Sequence, residues 1–200
     1  MENTTNTILY SKNADEVLFP GSTVKIMTCL LALENTQLTD EVTMTATGVS
    51  GVTDGGASIS SQVDEVFTVE QCLYAIMVAS ANDIALQIAE HVGGSVDGFV
   101  QQMNSRAQEL GCTNTVFTNP TGLPDDNQHT TAHDMALIMQ AAIQNESFRT
   151  IAAATSYTIP ATNKAAARNL TSKFTMTDTG ITGFYEGCIG GKEGYTEASG

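Results

Sequence analysis

Ser22 and Lys25 stand three positions apart in FPGSTVKIMTCLLALE, residues 19–34. On a helix that spacing puts both side chains on one face, so the amine can reach the hydroxyl. A serine alone is a poor nucleophile. A lysine that is desolvated, or crowded by a second cation, keeps a useful neutral fraction and can take the serine proton. The start of a helix adds a dipole that favours developing negative charge. Taken alone, the pair reads more readily as an N-cap serine followed by a lysine at the solvated end of a helix. Two further stretches change the balance. Ser80-Ala81-Asn82 offers a second hydroxyl and an amide between two helical patterns, and Lys192-Glu193-Gly194 offers a second cation on a Gly-flanked segment.

The elements that must position these groups can be read from periodicity and punctuation. TILY (7–10) and EVLF (16–19), separated by SKNAD, predict a short hairpin. A helix follows from Ser22, with Ile26, Leu30 and Leu33 on one face, Met27 and Leu31 beside them, and Asn35 as a stop. Residues 38–66 are rich in Thr, Ser, Gly and Asp, which predicts short extended pieces and loops. Thr68 with Gln71 forms a capping box before LYAIMVA, and DIALQIAEH reads as a helix ended by Gly93 and Gly94. Ser95 caps a helix to Leu110 with Gly111 as its stop, and Thr131 caps HDMALIMQAAI. SFRTIAAA predicts a short helix, and TSYTIP and FYEGCIGG predict extended segments. Strands at both ends with helices between them predict an α/β fold whose sheet is built from the chain termini, with a helical insertion.

Composition narrows the function classes. Two hundred residues with 42% hydrophobic and 15% charged side chains describe a globular chain with a real core. A net charge of -14 with scattered Lys and Arg offers no basic stripe, so nucleic acid is not an expected partner. The apolar run around IMTCLLAL is too short to span a bilayer, and MENTTNTILY lacks the pattern of a signal peptide. Neither a signal peptide nor an anchor is therefore expected in this chain. Cys29, Cys72, Cys112 and Cys188 form no CxxC pair and have no neighbouring His, which argues against zinc and for buried thiols, although their even number permits disulfides. His91, His129 and His133 invite a Ser-His-Asp reading, but His91 suits a helix C-terminus and His133 a first turn. Asp125-Asp126 reads as a loop pair, and Met27, Met77, Met103, Met135 and Met139 as core filling.

The order Ser-x-x-Lys, Ser-x-Asn, Lys-x-Gly resembles the signature of penicillin-binding proteins and serine β-lactamases. Ser-Ala-Asn in place of Ser-Asp-Asn resembles one branch, the serine D-alanyl-D-alanine carboxypeptidases, or low-molecular-mass penicillin-binding proteins. The surroundings PGSTVKIMTCLLALE, MVASANDIALQIAEHVGG, FVQQMNSRAQELGCTNTVFTNPTGL and HTTAHDMALIMQAAI are similar to that branch too, over nearly the whole chain. The resemblance implies a penicillin-binding/serine β-lactamase-like fold: an antiparallel sheet from both chain ends with helices, plus a mostly helical subdomain. A single catalytic domain is expected, with approximately 1–39 and 150–200 forming the α/β part and 40–149 the helical part. The implied activity is removal of the terminal D-Ala from peptidoglycan stem peptides ending in D-Ala-D-Ala, at the outer face of the bacterial cytoplasmic membrane. Any membrane association would run through segments absent from this chain.

Residue by residue, the resemblance implies that Ser22 attacks the carbonyl and becomes acylated, and that Lys25 takes its proton, its pKa depressed by Lys192 and burial. Ser80 would relay a proton to the leaving D-Ala. Asn82 would hold the substrate amide and help position Lys25, and the N–H groups of Ser22 and Tyr195 would form the oxyanion hole. Lys192, Glu193, Gly194 and Tyr195 would line the substrate site. β-Lactams would acylate Ser22 as well, and no metal or organic cofactor is implied.

The sequence departs from the family in two places. Glu193 stands where the family has Thr, whose hydroxyl helps bind the substrate's terminal carboxylate. Like charges at about 4 Å repel by roughly 1 kcal/mol in water and about 4 kcal/mol at an effective dielectric of about 20. The other option is for Glu193 to turn outward or pair with Lys192 or Lys25; either way impaired turnover is expected. The family also continues past Lys-Thr-Gly with further strands and a helix, whereas this chain ends at Gly200. C-terminal strands are thus expected to be missing, leaving the Lys192 strand as an exposed edge, with low stability or self-association. Two rival readings stand beside the enzyme: a non-catalytic peptidoglycan- or penicillin-binding protein, and a β-lactamase, the latter weakened because no Glu is recognisable at a deacylating position.

Overall fold

The computed structural model describes residues 1–52, 56–180 and 182–199. Its centre is α1 (Lys25–Asn35), entered directly from a 3-10 turn, Gly21–Val24. Lys25 through Ala32 are all buried. A helix this apolar all round belongs inside a core, and α1 is enclosed by most of the helices that follow. The chain continues as β1 (Glu41–Thr43), α2 (Ala46–Ser50), β2 (Val66–Thr68), α3 (Val69–Val78) and α4 (Asn82–Gly93). Then come α5 (Val96–Glu109), α6 (Ala132–Ala142), α7 (Glu146–Ala152), β3 (Ser156–Ile159) and β4 (Arg168–Thr171). Helices α3, α4, α5, α6 and α7 all pack on α1.

Local side chains set the helix boundaries. The Thr68 hydroxyl accepts from Gln71 N while the Gln71 side chain accepts from Thr68 N, a complete capping box. Ser95, Thr131 and Asn145 cap α5, α6 and α7 by accepting from the amide three residues on. Gly94, at φ +72°, ends α4 in the left-handed conformation that costs glycine nothing. α2 lies inside the stretch whose composition suggested only loops and extended pieces; Thr45 caps it by accepting from Thr47 N at 3.2 Å. Residues 53–55 of that stretch lie outside the described residues.

The α/β class holds, with antiparallel strands, but the sheets are assembled differently from the expectation. β1 pairs with β2, and β3 with β4, in two separate two-stranded sheets. Among the described residues no sheet joins the two chain ends. The N-terminal hairpin does not form: Leu18 exchanges its backbone hydrogen bonds with Thr130, at 2.9 and 3.0 Å, and residues 7–10 and 16–19 do not pair. FYEGCIGG is not a strand either, because Gly187 and Gly190 take φ of 87° and 145°. The segment carrying Lys192 is therefore no strand edge. It is tied down by Gly191 N donating to Ala152 O at 3.2 Å, and Lys192 itself is buried.

An aromatic stack joins one sheet to the helical core, and an ion pair joins the two sheets. Tyr74 of α3 stacks on Tyr157 of β3, with ring centroids 3.9 Å apart and planes 6° from parallel. Glu65, with 0% exposure, receives Arg168 of β4 through Nη1 at 2.7 Å and Nη2 at 2.9 Å, and the Thr162 hydroxyl at 2.5 Å. Burial pushes the Glu65 carboxyl up, but the hydrogen bonds from Arg168, Thr162 and Gln62 N outweigh it and hold the group below the ordinary range. Cys29, Cys72 and Cys112 are buried, Cys188 is half-buried, and all four are free thiols. Among the described residues no helix is long and apolar enough to cross a membrane.

Candidate active site

Ser22 sits on the 3-10 turn just ahead of α1, where two other backbones press against it. A Cβ on Gly122 (φ +83°) would fall 1.8 Å from Gly21 O and 2.9 Å from Ser22 N. A Cβ on Gly194 would fall 2.8 Å from Ser22 N and 3.0 Å from Thr23 N. Both positions need glycine for a steric reason: the serine turn is clasped between the 119–122 loop and the 192–195 segment. The loop is built by Asn119, whose side-chain oxygen accepts from Thr121 N at 3.2 Å, Thr121 Oγ1 at 2.8 Å and Gly122 N at 2.8 Å. Thr28 of α1 donates to Pro120 O at 2.8 Å and holds the same loop to the helix.

Lys25, at 0% exposure, lies one helical turn below the serine. Its Nζ donates to Ser22 Oγ at 3.1 Å and to Thr121 O at 2.5 Å. Burial, followed by the neighbouring Lys192 charge, lowers its pKa to about 7, while Cys29 and Glu193 act in the opposite direction. Near neutral pH a substantial fraction of Lys25 thus carries a lone pair, and the 3.1 Å contact can reverse so that the Ser22 hydroxyl donates to the amine.

Ser80 occupies the break between α3 and α4 at φ +57°, a left-handed conformation that costs a non-glycine residue energy. The break is fixed by Ala81 N on Ala75 O at 3.2 Å and Asn82 N on Ala57 O at 2.8 Å. Ser80 Oγ and Asn82 Oδ1 are buried, and neither has a hydrogen-bond partner among the described residues. Two unsatisfied buried polar groups two residues apart are costly, and a ligand in the adjoining cleft can satisfy them. Asn82 makes no hydrogen bond to Lys25; Thr121 O occupies that positioning role. Lys192 Nζ donates to Glu193 O at 2.6 Å and to Glu193 Oε1 at 3.0 Å. Its pKa is lowered by burial, against the pull of Glu193. Of the alternatives for Glu193, pairing with Lys192 is the one the geometry shows.

Ser22, Ser80, Asn82, Glu193, Gly194 and Tyr195 line one cleft of about 820 Å³. Lys25 and Lys192 lie buried behind its walls. The Tyr195 side chain is exposed, and among the described residues no acceptor takes the N–H of Ser22 or Tyr195. Thr121, Gly122, Thr28 and Asn119 were not singled out from the sequence; the turn-forming run Asn119-Pro120-Thr121-Gly122 was the signal for three of them, and Thr28 had none. His91, His129 and His133 do not line the cleft: His129 Nδ1 faces Asn127 O at 2.9 Å, and His133 Nδ1 lies 3.8 Å from Asp15. Among the described residues no group of three or more His, Cys, Asp or Glu is placed to hold a metal.

A serine against a buried lysine of lowered pKa, with a second hydroxyl lining the same cleft, suits the chemistry of serine acyl transfer, and the fold is that of penicillin-binding, serine β-lactamase-like peptidases. Sequence comparison gives the narrower assignment. The chain belongs to the D-alanyl-D-alanine carboxypeptidase family, whose pattern matches residues 1–200. It is 36% identical over 203 residues to the D-alanyl-D-alanine carboxypeptidase DacF of Bacillus subtilis, covering 98% of this chain and 49% of that protein. It is 34% identical over 185 residues to DacB2 of Mycobacterium tuberculosis, covering 90% of this chain and 59% of that one. The chain thus spans about half or somewhat more of the length of these relatives. The crystal structure of the Streptomyces K15 DD-transpeptidase superposes with a TM-score of 0.90 at 29% identity, over 99% of this chain and 79% of that one.

Proposed function

We propose that the protein is a serine D,D-carboxypeptidase that removes the terminal D-Ala from peptidoglycan stem peptides through an acyl-enzyme on Ser22. The observation that carries this reading is the Lys25 Nζ to Ser22 Oγ contact of 3.1 Å, made by a lysine whose pKa burial and Lys192 bring to about 7. Neutral Lys25 takes the hydroxyl proton as Ser22 Oγ bonds to the penultimate D-Ala carbonyl carbon. The N–H groups of Ser22 and Tyr195 stabilise the oxyanion. The C–N bond breaks as Ser80 passes a proton, supplied from Lys25, to the departing D-Ala amine. Water then adds to the ester carbonyl, giving a proton to Lys25, which returns it to Ser22 Oγ as the acyl–oxygen bond breaks. Asn82 holds the substrate amide, and Lys192 keeps Lys25 proton-poor.

The same chemistry opens a β-lactam ring, so these antibiotics are covalent ligands of Ser22. The substrate sets the working location at the outer face of the bacterial cytoplasmic membrane. Glu193 slows turnover of a substrate with a free carboxylate. A second reading, a binding protein that retains the cleft without turnover, is favoured by one observation: Lys192, the second cation of the site, is already engaged by Glu193 at 3.0 Å.

Intact-mass spectrometry after incubation with benzylpenicillin separates these readings. The expected result is a penicilloyl adduct that decays slowly and is lost in Ser22→Ala. Rapid decay would make the protein a β-lactamase, and no adduct would leave the binding role.

A further inference from the structure

We infer that Glu193 selects the leaving group: it turns the cleft away from peptides ending in a free carboxylate and toward peptides whose leaving residue carries an uncharged or cationic hydrogen-bond donor, such as a C-terminal amide. The inference deepens the acyl-transfer reading and rests on it. Gly194, next in the chain, packs within van der Waals reach of the Ser22 and Thr23 amides, so Glu193 is held beside the nucleophile by backbone contacts. Glu193 lines the same cleft as Ser22, its side chain 33% exposed. Its two carboxylate oxygens are used differently. Oε1 accepts from Lys192 Nζ at 3.0 Å, whereas Oε2 is buried and has no hydrogen-bond partner among the described residues.

Two consequences follow from that asymmetry. Lys192 gives its ammonium to the Glu193 side chain and also to the Glu193 carbonyl at 2.6 Å, so the charge of this second cation is offset before any ligand arrives. A ligand carboxylate there gains no net attraction and meets Oε2 as a like charge. An uncharged or cationic N–H donor avoids that repulsion, and Oε2, a buried acceptor without a partner, gains the bond it lacks once the Glu193 side chain turns toward the cleft. Among the described residues the other charged side chains on the cleft wall are Glu197 and Lys173, one of each sign, which leaves Glu193 to decide the preference. The reaction keeps its balance: Ser22 Oγ bonds to the acyl carbon, the C–N bond breaks, and the leaving residue departs as a free amine carrying the relayed proton.

The test pairs two substrates, a short acyl-D-Ala-D-Ala free acid and the same peptide with a C-terminal amide, and compares kcat/KM for native protein, Glu193→Gln and Glu193→Thr. Native protein is expected to favour the amide by a factor between roughly fivefold and a thousandfold, the range set by like-charge contact at high and intermediate dielectric. Both variants are expected to shift the ratio toward the acid by a comparable factor. Benzylpenicillin adducts on Ser22 and circular dichroism of each variant report an assembled site and an intact fold. Turnover that favours the acid, or a ratio that Glu193→Gln leaves unchanged, overturns the inference and leaves the acyl-transfer reading standing. No release from either substrate and no Ser22 adduct in native protein overturns both.

Discussion

At the scale of single residues, Lys25 sets the pH response of the site. Its ordinary pKa of 10.5 falls to about 7 in the folded chain, so the base is present above that value and protonated below it. Acylation of Ser22 by benzylpenicillin is therefore expected to rise with pH through a midpoint near 7. Lys192→Gln removes a neighbouring positive charge and should move that midpoint upward; a midpoint unchanged in the variant would show that Lys192 does not tune the base. Stability responds to the same shift. Between about 7 and 10.5 the unfolded chain holds a proton on Lys25 that the folded chain has released, so raising the pH through this window favours the folded state. Below the window the full cost of burying the charged amine remains. Lys25→Met should lose this contribution to the slope, as urea titrations from pH 7 to 10 would reveal.

At the scale of elements, the site depends on three backbones meeting at one turn. Gly122→Ala is expected to slow Ser22 acylation about a hundredfold or more, because the added methyl would overlap Gly21 O and force the serine turn out of place. A rate within a factor of about three, measured by adduct formation, would mean the loop yields without disturbing the serine. This contact also marks the limit of what could be read from the chain alone. The helices were legible, since their caps and periodicity are local: Thr68 with Gln71, Ser95 and Thr131 act as expected. So were Ser22, Lys25, Ser80 and Lys192, whose spacing resembles a known signature. Thr121 was not, because its backbone carbonyl, not its side chain, receives Lys25, and any residue supplies a carbonyl. The strands misled for a related reason. FYEGCIGG has the composition of an extended segment, but the left-handed glycines within it are fixed by their packing, as at Gly190 against Ala152 O.

Across the whole molecule, Val42, Phe67, Ile159 and Leu170 seat the strands in the apolar core, and a buried ion pair ties the two sheets to each other. Glu65 is fully buried and faces Arg168 from the other sheet, with the guanidinium 5.7 Å from the centroid of the Phe67 ring. Arg168→Met would leave that carboxylate without its cation and is expected to cost about 3–5 kcal/mol. Chemical denaturation provides the measurement, and a loss below about 1 kcal/mol would show that Thr162 and solvent compensate. The effect should shrink on acidification, as Glu65, whose carboxyl the hydrogen bonds hold below the ordinary range, becomes protonated and no longer needs the arginine.

The stacked tyrosines give the molecule an optical handle on the same junction. The chain has no tryptophan and five tyrosines, so its near-ultraviolet spectrum is that of phenols and phenyl rings. Tyr74 and Tyr157, face to face at 3.9 Å, are close enough for their transitions to couple and produce a chiral signal that isolated phenols lack. Burial raises the pKa of both, so the pair keeps its neutral absorption into alkali beyond a free tyrosine. One ring belongs to α3 and the other to β3, so that signal reports directly whether the β3–β4 layer is seated on the helices, in the unlabelled protein.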